Sequence, residues 1–186
     1  MDPNEKSFYE RDAVLVAKEL LGKVLVIKGP GSCNYKWRII ETEAYKGEEN
    51  ENNETICHDN ENTRTCGKIF AEGNNGLIIT CGSESVCDNV LVRGLLTIFY
   101  SQPYKAMQSA KFGCEIELAE PVDLTLPKDK TNIYIEKDKV SIADPPASVR
   151  VGMESKSDKA WNFKLFILDN KTETIDASFL KGLNEK

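Results

Sequence analysis

Glu41, Glu43 and Tyr45 stand at alternate positions in RIIETEAYKG, residues 38–47. In a strand, successive side chains point to opposite faces. The two carboxylates and the phenol would then share one face, with Ile40, Thr42 and Ala44 on the other. Two readings compete. Carboxylates are mostly exposed, and an antiparallel strand commonly turns its polar face to water. The sharper reading is a positioned general base beside an aromatic platform.

A second set of reactive side chains is Cys57-His58 with Cys66. His58 is the sole histidine, and the six cysteines contain no C-x-x-C pair, so the spacing is a poor match to a zinc site. The expectation is no metal and no cofactor, with the thiols reduced and acting as small core residues. A metal site on Cys57, His58 and Cys66 stays as the alternative.

Bulk properties bound what these residues can serve. The 186 residues carry 30 acidic and 24 basic side chains, a net charge of −6. That balance counts against strong non-specific attraction to polyphosphate, though a local basic face is compatible with it. No apolar run approaches the ~18 residues of a membrane span. The charged start MDPNEKSFYERD lacks the apolar core of a secretory signal. An intracellular monomer is expected.

The elements that must position Glu43 follow from periodicity. FYERDAVLVAKELL, residues 8–21, has helical spacing, with Asp12 as a cap and Gly22 as a stop. VLVI at 24–27 and NYKWRIIETEAY at 34–45 read as a hairpin across GPGS. Residues 46–65 form a polar loop. KIF (68–70), LIITCG and VLVRGLLTIFY (90–100) read as strands, PYKAMQSAKFG (103–113) as a short helix, and KAWNFKLFILDN as a closing strand before a frayed tail. The fold class is mixed α/β: a single domain over 1–186 with a curved, mainly antiparallel sheet and a few helices.

AKELLGKVLV followed by R-I-x-E-T-E-A-Y-x-G resembles the alkyladenine (3-methyladenine) DNA glycosylase family. SVRVGMESKSDKAWNFKLFI is similar to the family's R-[IV]-G segment and final aromatic strand. TRTCGKIF, EGNNGLIITCG and CDNV are weaker echoes in the same order, so the resemblance runs over about residues 8–175. It implies a monofunctional glycosylase that flips an alkylated or deaminated purine out of double-stranded DNA and hydrolyses its N-glycosidic bond. By that resemblance Glu43 is the general base that activates water and Tyr45 stacks on the flipped base. His58 is either the family's loop histidine, which hydrogen-bonds the base edge, or an exposed loop residue; its spacing from Tyr45 is longer than the family's. Asn89 matches the pocket Asn if one insertion is accepted, and is otherwise a turn residue. The location would be nuclear in a eukaryote.

Three departures stand against the family pattern. Ile78 falls where a tyrosine lines the base pocket, and Cys81 where a tyrosine wedges into the DNA. Phe99 occupies the place of an expected arginine. Only residues 104–120 separate Pro103 from Pro121, where the family has a much longer segment. A catalytically weakened or inactive DNA- or partner-binding member of the same fold is therefore the competing reading.

Overall fold

Asp12 starts the principal helix. The computed structural model describes residues 1–29, 34–46, 65–72, 76–83, 88–98, 106–108, 118, 120–137, 147–148 and 160–164. The predicted helix over 8–21 is two helices: α1 (Lys6–Tyr9) and α2 (Ala13–Leu20). Asp12 sits between them in extended conformation, and its carboxylate accepts the Val14 amide proton at 2.8 Å, satisfying one of the amides a helix start leaves unpaired. Ala13, Val16, Ala17 and Leu20 form the buried stripe of α2, each large member contributing ~1.5–3 kcal/mol on burial. Leu21 turns extended and Gly22, at φ 81°, ends the helix in the left-handed region.

Asp12 also pairs with Lys46, one residue beyond Tyr45, and so ties the helix start to the far end of the RIIETEAY strand. Burial pushes its carboxyl up, but the hydrogen bond from Lys46 and the amides of Val14 and Leu15 outweigh that and hold it below the usual carboxylate value. Asp12→Ala should destabilise the protein by about 1 kcal/mol at neutral pH, mostly as a lost cap. The ion pair is about one-third exposed on both sides and adds little. A group depressed in the folded state stabilises fully above the ordinary carboxylate range and ceases to do so as pH falls through its lowered value. Urea unfolding at pH 7 and at pH 3 should therefore show the Asp12→Ala deficit shrinking on acidification; a deficit that grows would contradict the capping role.

The sheet is antiparallel at every described pair. Its strands are β1 (Val24–Lys28), β2 (Asn34–Tyr45), β3 (Lys68–Glu72), β4 (Gly76–Cys81), β5 (Asp88–Thr97), β6 (Ala106–Gln108), β7 (Val122–Asp123), β8 (Ile133–Glu136), β9 (Ala147–Ser148) and β10 (Ala160–Lys164). The order is β7-β3-β4-β5-β2-β1-β8, with β10 also against β2, β9 against β10 and β6 against β5. The expected hairpin forms, pairing Val24–Lys28 with Asn34–Arg38. Beyond it β2 changes partners: Glu41–Tyr45 pairs with β10 on one side, and Trp37–Tyr45 with β5 on the other. Where a helix was expected over 103–113, Ala106–Gln108 is instead a strand against Gly94–Leu96. Low aliphatic content there carried no helical stripe, and the open β5 edge offers those amides partners.

The register between β2 and β5 shifts twice in succession, on either side of Glu41. Ile39 faces Leu95, Glu41 faces Gly94 and Thr42 faces Val92, so Ile40 and Arg93 are passed over. Such a bulge bends the strand and inverts the in-out alternation. Ile39 and Ile40 are accordingly both in the main core, as are Val92 and Leu95, three apart. Gly94 permits the close approach: a Cβ there would lie 3.0 Å from Glu41 Cβ and 3.1 Å from Ile40 Cγ1. Gly94→Val must push the bulge aside and should cost ~1–3 kcal/mol by overpacking, read as a lowered urea midpoint; an unchanged midpoint would show that the bulge yields freely.

The sheet thus has two faces. On one, Ala44, Leu77, Ile79, Val90 and Val92 pack with α2 in the main core, and the Thr42 hydroxyl donates to the Ala17 carbonyl at 3.0 Å. The other face carries Glu43. No helix among the described residues is long and apolar enough to cross a membrane.

Candidate active site

Glu43 and Tyr45 share the face of β2 turned away from α2, as the alternation of residues 41–45 requires. Neither faces solvent. Glu43 is 1% exposed and Tyr45 8%, so the solvated polar strand face weighed from sequence is not what forms; only Glu41 is part-exposed. The Tyr45 hydroxyl donates to Glu43 Oε2 at 2.7 Å. On the other oxygen, Arg93 Nη1 lies 3.4 Å from Glu43 Oε1. A buried carboxylate persists only when paired and hydrogen-bonded, and these two contacts engage both oxygens.

Arg93 had no part in the sequence reading, which looked for an arginine at the position of Phe99, outside the described residues. It reaches Glu43 because the bulge omits it from the ladder and leaves its side chain at the edge of the carboxylate. Arg93 is 39% exposed at the side chain, so its guanidinium stands between the buried acid and solvent. The signal available in sequence was the run Asn89, Leu91, Arg93 at period two, followed by a glycine.

Across the sheet the register sets a straight row: Glu43 faces Leu91, Leu91 faces Ile78, and Ile78 faces Phe70. On the outer side Asn162 of β10 pairs with Glu43. A second row, two residues along, runs Tyr45, Asn89, Thr80. Tyr45, Phe70, Ile78 and Leu91 form a buried apolar cluster separate from the main core. The structure therefore gathers four of the expected residues, Glu43, Tyr45, Ile78 and Asn89, on neighbouring positions of one face. Asn89 is 4% exposed and lies in β5, not in a turn. Thr80, beside it, is occupied structurally: its hydroxyl donates to the Thr65 carbonyl at 2.6 Å and accepts the Lys68 amide.

Cys81 does not join them. It is 3% exposed in the main core, on the face of β4 shared with Leu77 and Ile79. Residues 78 and 81 are an odd number apart on a regular strand, so they cannot share a face. Burial pushes the Cys81 thiol up, with Asp88, Asp12 and Cys66 adding to it, which makes it inert. A wedge into DNA is thus corrected to a packing role. Cys66 is likewise a buried free thiol of that core. His58 and Cys57 lie outside the described residues, as does the acidic loop over 48–61. Among the described residues no group of three or more potential metal ligands gathers. A surface cavity of about 530 Å³ beside Asp2, Asn4, Lys128 and Lys137 shares no residue with the Glu43 face.

Glu43 is thus a buried carboxylate with both oxygens engaged, beside a buried apolar cluster that carries two aromatic rings. Comparison with known proteins identifies the family. The family model described as methylpurine-DNA glycosylase (MPG) matches residues 7–169. Provisionally named 3-methyladenine DNA glycosylases are similar: that of Clostridium beijerinckii is 34% identical over 86 residues, 46% of this chain and 41% of that protein. That of Bdellovibrio bacteriovorus is 37% identical over 90 residues, 47% of this chain and 44% of that protein. A shorter stretch of 42 residues is 57% identical to the Clostridium perfringens protein, 23% of this chain and 20% of that one. The chain thus spans less than half the length of these curated relatives.

Proposed function

The chain belongs to the methylpurine-DNA glycosylase family, and on that premise we propose that it is a monofunctional DNA glycosylase acting on an alkylated or deaminated purine flipped from double-stranded DNA. The observation that carries this reading is the buried Glu43 carboxylate, held by the Tyr45 hydroxyl and by Arg93 beside an apolar row.

In the proposed reaction the bond between the sugar's anomeric carbon and the purine nitrogen breaks, its electron pair leaving with the base. Glu43 accepts a proton from the attacking water, whose oxygen bonds to that carbon, and its negative charge favours the oxocarbenium that develops; a cationic alkylated base leaves as the neutral purine, and a deaminated base takes up a proton from water as it leaves. The products are a free purine and an abasic deoxyribose. Tyr45 offers its ring to the base while its hydroxyl fixes the carboxylate. Asn89, next to it in the second row, is proposed to meet a base edge, with Ile78 and Leu91 beneath the base. His58 is proposed as a further base-edge contact. The reaction so written needs no metal, cofactor or lysine nucleophile. A monomer acting on genomic DNA inside the cell, in the nucleus of a eukaryote, fits the reading.

One observation favours the weakened-binder alternative: Glu43, Ile78 and Leu91 are all closed off from solvent. Duplexes carrying hypoxanthine, 1,N6-ethenoadenine or 3-methyladenine decide between them. Release of free base by wild type above a Glu43→Gln control supports the enzyme. A gel shift on the same duplexes with no release above that control supports the binding module.

A further inference from the structure

We propose that Phe70 is the end wall of the base site and sets the size of purine accepted, an inference that rests on the glycosylase reading above. Neither the motif around Glu43 nor the hairpin tyrosine positions point to this residue; the sheet register does. Glu43, Leu91, Ile78 and Phe70 face one another in a single row across β2, β5, β4 and β3. Three strand spacings separate the first from the last, roughly 14 Å along the sheet. The scissile bond must lie at Glu43, so the base extends from there over the middle strands.

The residues it crosses are Leu91 and Ile78, apolar side chains without a hydrogen-bonding group; at 3% and 0% exposed they are packed over, so a base reaches this row only by displacing what covers it. Phe70 closes the row. Its ring touches the same cluster as Tyr45, and these two are its least buried members, at 7% and 8%. They are also the aromatic members, one near each end. A ring standing against Ile78 supplies at β3 the aromatic surface that Ile78 itself lacks. It also stops the distal edge of the base. A two-ring purine such as hypoxanthine fits between Glu43 and Phe70; a purine with a third ring fused across N1 and N6 meets the Phe70 side chain first.

Hydrophobic pockets discriminate a methylene-scale difference by about 10–200-fold, so a whole fused ring should lie at or above the low end of that range. The test is single-turnover excision of hypoxanthine and of 1,N6-ethenoadenine from otherwise identical duplexes. Wild type should favour hypoxanthine at least about tenfold. Phe70→Leu should shorten the wall and raise the ethenoadenine-to-hypoxanthine rate ratio about tenfold, whereas Phe70→Trp should lower it. Urea midpoints verify that each variant is folded, and the wild-type ratio stands even if neither is. Equal excision of both bases by wild type overturns the proposal, as does a ratio that a folded variant leaves unchanged. Glu43-dependent release with such a result removes Phe70 and leaves the glycosylase reading standing. Absence of Glu43-dependent release removes both.

Discussion

Glu43→Gln is expected to reduce base release by roughly 10²–10⁴-fold, the usual cost of losing a general base, while the protein becomes no less stable. The two halves of that expectation have one cause. The carboxylate is 1% exposed, and removing an anion from water costs several kcal/mol unless its partners compensate. Tyr45 and Arg93 are those partners, but a glutamine amide keeps the shape and the acceptor for the Tyr45 hydroxyl and carries no charge to desolvate. A residue kept solely for stability would show the reverse, a fall in the unfolding midpoint with little to lose in rate. DNA affinity should be intact or slightly higher, since a negative charge that would face phosphate is gone. Quantifying free base alongside urea unfolding and a gel shift checks all three. Loss of folding with unaltered release per folded molecule would put Glu43 among structural residues.

The hairpin around Glu43 was legible because its signals are local. Alternation over 41–45 put Glu43 and Tyr45 on one face, and GPGS between two strand-like runs marked the hairpin, whose strands pair Val24–Lys28 with Asn34–Arg38. The same local logic excludes a shared face for Ile78 and Cys81, since 78 and 81 have opposite parity on one strand. What local pattern could not give was the bulge. It depends on two strands slipping together at Ile40 and Arg93, with Gly94 yielding space to Glu41, and no periodicity within either strand announces it. The burial of Glu43 was illegible for a related reason. Composition favours exposed carboxylates, and the pair that makes burial tolerable comes from a residue fifty positions away. Phe70 was hidden likewise, as its place in the row is fixed by β4 and β5 rather than by KIF itself.

Arg93→Met should show whether that long-range pair is energetically real. Breaking a buried ion pair from one side costs ~3–5 kcal/mol because the other charge is left uncompensated. Arg93 is 39% exposed and its Nη1 stands 3.4 Å from Glu43 Oε1, longer than a tight charge-assisted bond. Screening at the exposed side brings the expected loss down to about 2 kcal/mol. The same change in a Glu43→Gln background removes no partner from a charge and should cost well under half as much. The coupling from the double-mutant cycle, on the order of 1 kcal/mol or more, would then measure the pair itself. Release should fall as well, because Glu43 loses one of its anchors and a misplaced base is a slow one. Additive costs in the cycle, with release unchanged in Arg93→Met, would mean that the guanidinium merely lies near the acid. A coupled pair would mean that the bulge exists to bring a cation to Glu43 from the solvent side.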